Sequence, residues 1–144
     1  MTIITGFTIP MSGKECAGGE LQLKSHPKIE FLLGSIAGPQ IRKEVLANLP
    51  ENRGAVFMIP DSVHRCEQVY EELKLWVPAL KAGDHLAVED SNVNGHPVRP
   101  EFGPEPYEAA GEFVRENPGI LVADVAREQK FRPTAAPNGF WKIK

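Results

Sequence analysis

Basic runs are missing from this sequence. Sixteen Lys and Arg against nineteen Asp and Glu leave a net charge of −3 over 144 residues, and no segment gathers the cations together. A phosphate backbone needs a positive field to hold it, so nucleic acid is excluded as an expected partner. Cysteine is scarce as well. Cys16 and Cys66 lack the spacing of a metal pair or a redox Cys-x-x-Cys, so they read as free thiols in a reducing, cytoplasmic setting. No stretch approaches the roughly 20 apolar residues of a membrane span, and the N-terminus shows neither the basic nor the long apolar region of a secretion signal. A membrane partner is therefore not expected. Gly-x-Gly segments, internal repeats and linkers are absent too.

What is present is ordinary globular material, 42% hydrophobic and 24% charged, and the length suits a single domain over residues 1–144. Residues 3–9 are β-branched and apolar and stop at Pro10, which predicts a short strand; residues 29–33, closed by Gly34-Ser35, predict a second. Ile41, Val45, Leu46 and Leu49 recur at helical spacing between Pro39 and Pro50. Residues 55–59 form a continuous apolar run, the pattern of a strand covered on both faces of a parallel sheet. Val69, Leu73, Trp76, Val77 and Leu80 then mark a helix over residues 63–80, with Gly83 as its stop. Residues 85–88 give the next strand, adjacent and parallel to 55–59. Residues 107–116 follow as a helix with Pro106 at its first position, and residues 120–122 and 140–143 are candidate tail strands around Pro137-Asn138-Gly139. Strands alternating with helices predict an α/β fold with a mainly parallel sheet.

In such sheets ligands sit beyond the carboxyl ends of the strands. The residues there are Gly34-Ser35, Asp61-Ser62-Val63-His64 and Glu89-Asp90. Two adjacent carboxylates repel each other unless a cation or donor compensates, and hard oxygen ligands of this kind suit Mg²⁺ or a related divalent ion. The alternative is a pair of solvated acids. His64, placed in the first turn of the long helix, could act as general base or simply cap that helix. The segment 91–106, with four prolines and two glycines, is too long and too punctuated to be a mere connector.

The run from Val88 to Val98, Val-Glu-Asp-Ser-Asn-Val-Asn-Gly-His-Pro-Val, continued by Pro100-Glu101-Phe102-Gly103-Pro104 and Pro106-Tyr107-Glu108-Ala109, resembles the signature of the cephalosporin hydroxylase-like family, which includes rhamnosyl O-methyltransferases. His26-Pro27-Lys28-Ile29 before Gly34-Ser35, the Asp61 to His64 turn, and the tail residues Asp124, Arg127-Glu128 and Lys130-Phe131 fit the same resemblance. It implies a Rossmann-like methyltransferase sheet, S-adenosylmethionine as cofactor, a divalent ion, and a small-molecule hydroxyl of a sugar or natural product as acceptor. By that resemblance Thr8, Gly34, Ser35, Asp61 and Ser62 are the cofactor-binding positions. Glu89 and Asp90 are the metal ligands, with Asp61 as a substitute for the third acid, and His64 is the catalytic base.

Three departures stand beside the match. The family's first strand and its glycine-rich loop have no counterpart here. Thr8 stands where the family offers an acid to the cofactor ribose, and Val63 stands where its turn commonly carries a second acid. The rival expectation is accordingly a catalytically inactive relative serving as a binding or assembly module. A homo-oligomer or a complementing N-terminal segment is an expected partner under either.

Overall fold

The computed structural model describes residues 3–7, 29–130 and 134–144, and its contacts group the chain into two compact units, Met1–Gly54 and Ala55–Lys144. In the first unit, strands β1 (Ile3–Phe7) and β2 (Ile29–Leu33) pair in parallel, Ile3 opposite Ile29. Helix α1 (Pro39–Asn48) follows, with the anticipated proline in its first turn, where a missing N–H costs nothing. Its Ile41 is buried and explains Gly34: a Cβ at residue 34 would lie 2.7 Å from the Ile41 side chain. Thr8 lies outside the described residues.

The second unit contains β3 (Phe57–Met58), α2 (Cys66–Trp76) with a 3₁₀ turn at Val77–Ala79, β4 (His85–Ala87), α3 (Pro106–Glu116), β5 (Leu121–Ala123), α4 (Val125–Glu128) and β6 (Phe140–Ile143). Its sheet runs β3-β4-β6-β5. Val69 and Leu73, one helical turn apart on α2, and Ala109, Ala110 and Phe113 on α3 pack on one sheet face, against Leu86, Val88, Leu121, Trp141 and Ile143. Leu73 and Leu86 are fully buried, each contributing about 1.5–3 kcal/mol.

The expected pair forms: β3 and β4 are adjacent and parallel, Phe57 opposite His85. The expectation of a mainly parallel sheet fails. β6 enters between β4 and β5 and is antiparallel to both, so the sheet is mixed. A strand–helix–strand order fixes the direction of β4 and β5 but leaves the space between them open, and the tail fills it. The run 55–59 is also not covered on both faces, since Phe57 is 39% and Ile59 50% exposed. Finally, the long helix begins at Cys66 rather than Val63, because Arg65 is still extended (φ −109°, ψ 133°). His64 therefore sits in the turn before the helix. Among the described residues, no helix is long and apolar enough to cross a membrane.

Candidate functional site

Parallel pairing of β3 and β4 brings both strand ends out on the same side of the sheet. The Glu89 amide donates to the Pro60 carbonyl at 3.3 Å, which carries the lateral contact beyond the strands and sets Asp61 to His64 beside Glu89-Asp90. Because residues 63–65 are not helical, the His64 ring can lie between the two acidic segments. Its Nε2 is 3.3 Å from Asp61 Oδ1, and its Nδ1 is 3.1 Å from Asp90 Oδ2. Asp90 adopts φ +51°, a left-handed conformation that an aspartate tolerates better than most residues.

The site is rich in acid. Partial burial pushes the Glu89 carboxyl above the usual carboxylate range, and the neighbouring Asp61 and Asp90 push it further. A second acid closes on the site from the far end of the long loop. Glu105, 4% exposed, precedes α3, and its Oε2 is buried without a hydrogen-bond partner. Burial raises its carboxyl, and Glu108 adds to that against the opposing pull of His64 and Arg65.

One ligand atom each from Asp61, His64 and Asp90 lies within 4.8 Å of the others. A divalent ion bound at about 2.1–2.4 Å spans ligand atoms up to about 4.2–4.8 Å apart, so this spacing fits one ion. Of the expected ligands, Asp61 and Asp90 converge; Glu89 stands beside them but is not in the tight cluster. His64, expected as a base, shares the cluster with the acids.

The cofactor positions are differently placed. Gly34 and Ser35 belong to the first unit, where the Gly38 amide donates to the Ser35 carbonyl at 2.8 Å in the turn leading to α1. Ser62 gives its hydroxyl proton to Glu72 Oε1 at 2.6 Å, and Gln68 Nε2 donates to the same oxygen at 3.1 Å. Glu72 is fully buried on α2 and anchors the turn from beneath. The sequence offered a faint signal for it, a Gln-Glu pair four apart on one helix face.

The long loop is tied down by α3. Glu108 Oε1 accepts from Asn94 Nδ2 at 3.0 Å and meets His96 Nε2 at 2.8 Å, while its Oε2 accepts the Glu105 amide at 2.8 Å. The His96 ring stacks on Tyr107 at 3.8 Å. Burial alone would raise the Glu108 carboxyl, but these hydrogen bonds outweigh it and hold the group low. The Glu-x-x-Glu spacing ahead of a helix marks this cap in the sequence.

The family model for rhamnosyl O-methyltransferase/CmcI matches residues 14–144. The chain belongs to this family. Its sequence is 49% identical over 114 residues to rhamnosyl O-methyltransferase of Mycobacterium leprae (strain TN), a match covering 79% of this chain and 50% of that protein. The proteins of the same name from Mycobacterium bovis (strain BCG / Pasteur 1173P2) and Mycobacterium tuberculosis (strain ATCC 25618 / H37Rv) are 45% identical over 117 residues, covering 81% of this chain and 48% of each. The chain thus spans about half the length of the curated relatives it matches. No solved structure matches it.

Within this rhamnosyl O-methyltransferase/CmcI chain the acidic site carries a cost in stability. Glu89 has a folded-state pKa above its ordinary value, so its ionised form is disfavoured by folding. That penalty is complete above the raised pKa and disappears as pH falls to the ordinary carboxylate range near about 4.3. Glu89→Gln is therefore expected to stabilise the metal-free protein at neutral pH by about 0.5–2 kcal/mol, the usual gain from relieving surface charge. Urea midpoints measured across pH check this. The two proteins should converge on acidification, and a Gln variant that is no more stable at pH 7 would refute the repulsion.

Proposed function

We propose that this chain supplies the acidic, metal-binding part of an S-adenosylmethionine-dependent O-methyltransferase with a Rossmann-like sheet, acting in the cytoplasm on a hydroxyl of a sugar or natural product. The observation that carries this reading is the convergence of Asp61, His64 and Asp90 at adjacent strand ends. The names of the relatives, which specify a rhamnosyl group, support a sugar hydroxyl as the acceptor.

Methyl transfer to a hydroxyl needs the oxygen deprotonated and aimed along the line of attack. A bound Mg²⁺ or Mn²⁺ would lower the hydroxyl pKa and fix its direction. Asp61 and Asp90 would hold the ion, with Glu89 adding negative charge beside them. Asp90, facing Nδ1, orients the His64 ring and leaves Nε2 on the side of the exposed Asp61. His64 would take the acceptor proton at that atom.

The residues assigned to the methyl donor do not fit it as they stand. Asp61 faces His64, the Ser62 hydroxyl is engaged as a donor to Glu72, and the glycine at 34 makes room for Ile41. Calorimetric titration of S-adenosylmethionine into this chain should show weak or undetectable binding. Tight, stoichiometric binding would mean that Asp61 and Ser62 exchange their present partners for the cofactor.

One observation favours a second reading, a catalytically inactive relative working as a binding or assembly module. Val63, in the turn where the resemblance places a further acid, is 45% exposed and offers no ligand atom. Pairing with a second copy or with a complementing N-terminal segment belongs to this proposal under both readings.

A further inference from the structure

The sheet face opposite α2 and α3 carries a second group of charges. The register sets Phe57, His85, Lys142 and Val122 in one row across β3, β4, β6 and β5, so their side chains share that face. Beyond the end of β5, Asp124 turns onto it, 4% exposed. Asp124 Oδ2 is 3.2 Å from Arg127 Nε and 3.5 Å from His85 Nδ1, and its Oδ1 is 3.3 Å from Lys142 Nζ. It also accepts the Arg127 amide at 3.3 Å. Burial acts to raise this carboxyl, but the hydrogen bonds from Arg127 and Lys142 prevail and keep it below the usual range, ionised at neutral pH.

One carboxylate balances one cation, and here two cations are fixed on it. Arg127 meets Asp124 through Nε, which leaves the two Nη groups of the guanidinium directed elsewhere, and the Lys142 ammonium has two further N–H donors. Their side chains are 42% and 50% exposed, whereas Asp124 is covered. Beside them opens a recess of about 320 Å³ lined by Asp124, Ala126, Arg127, Lys130 and Lys142. Its positive charge exceeds its negative charge, and the cations are held in place from beneath by a buried acid. The Arg127 guanidinium also lies over the Phe57 ring, 5.3 Å from its centroid, so a partly exposed aromatic ring adjoins one of the two cations.

We propose that this recess is a binding site for a phosphate monoester, with Arg127 and Lys142 holding the phosphoryl oxygens and Phe57 packing against the apolar body of the ligand. A guanidinium fork and an ammonium together match several oxygens of a tetrahedral dianion, where a planar monoanion would engage fewer. Asp124 is the positioning residue: it is covered, touches both cations and fixes their direction. The site is separate from the acidic cluster. Lys142 stands opposite His85 at the start of β4, whereas Asp90 follows the other end of that strand. It also does not rest on the methyl-transfer reading, and neither the family description nor the relatives' names assign it.

The test is an NMR amide-shift titration of the ¹⁵N-labelled full chain with inorganic phosphate, phenyl phosphate and acetate at constant ionic strength. Saturable shifts centred on Ala126, Arg127 and Lys142 are expected with both phosphates, phenyl phosphate binding more tightly and acetate much more weakly. Arg127→Gln and Lys142→Gln, both at half-exposed positions, should keep a folded spectrum and each weaken phosphate binding by about tenfold, or about 1.4 kcal/mol. Phe57→Ala should remove the advantage of phenyl phosphate and leave inorganic phosphate unchanged. Shifts spread over all lysines without saturation, equal response to acetate, or unchanged binding in the folded Arg127→Gln and Lys142→Gln proteins would overturn the site.

Discussion

Gly139→Ala is expected to be among the most damaging single-methyl changes in this protein. Gly139 sits where the tail turn passes over β4. Its amide donates to the Ala136 carbonyl at 3.0 Å, and its carbonyl accepts the Val88 amide at 2.9 Å. A Cβ there would press into the Val88 carbonyl and lie 2.9 Å from Ala136 Cβ and 3.0 Å from Ala136 O. Two of those three atoms are backbone, which cannot swing aside as a side chain end can. The strand or the turn must move, at about 2–3 kcal/mol, the upper part of the range for overpacking. The displaced strand is the one that ends in Glu89-Asp90. Ser91, whose hydroxyl donates to the Pro137 carbonyl at 2.7 Å, ties the same two segments together one step further on. Loss of stability should therefore come with loss of the acidic site's geometry. Gly111→Ala supplies the contrast, since Gly111 lies exposed on α3 with no atom within 4 Å of its absent Cβ. That change should stabilise by about 0.5–1 kcal/mol. Chemical denaturation of both variants checks the pair, and equal effects would show that the tail does not clamp β4.

This clamp is also where reading the sequence fell short. The helices could be read because their apolar residues recur at three and four, a pattern set by the helix itself, and Pro39 and Pro106 mark their first turns as expected. The β3–β4 pair could be read because a crossover helix joins two short apolar runs. Which strand neighbours β4 on its other side is a long-range choice, and residues 140–143 carry no local sign of it. Exposure of Phe57 and Ile59 was equally hidden, since a continuous apolar run states composition and not what covers it.

The site divides along the same line. Asp61, His64 and Asp90 could be proposed because they follow apolar runs whose parallel pairing brings their ends together. α2 starts three residues later than its apolar spacing predicts, and that difference places His64 between two carboxylates instead of on a helix. Glu72 and Glu105 were missed because burial of a charged side chain is decided by what packs around it. The tail residues Asp124, Arg127 and Lys130 stand out in the sequence only through the resemblance; their grouping with Lys142 depends on the antiparallel β5–β6 pair.

The largest effect on binding is expected from Asp90→Asn. Asp90 is one of the two carboxylates proposed to hold the ion, and an amide oxygen in its place is neutral and a weaker ligand for a hard cation. Asn tolerates the left-handed backbone at this position as well as Asp does, so the variant should fold. Val63→Asp changes the site in the opposite sense, adding a carboxylate at an exposed position of the same turn where little stability is at stake. An ion present at 100 times its dissociation constant would also stabilise the natural protein by about 2.7 kcal/mol. The decisive measurement is calorimetric titration of Mn²⁺ into the natural protein, Asp90→Asn and Val63→Asp, each first shown to be folded. The account predicts one ion per natural chain, binding weakened by at least about tenfold in Asp90→Asn and tightened in Val63→Asp, a tenfold change being about 1.4 kcal/mol. A folded natural protein that binds no Mn²⁺, or binds it no better than Asp90→Asn does, would contradict the account and leave these acids as solvated surface groups.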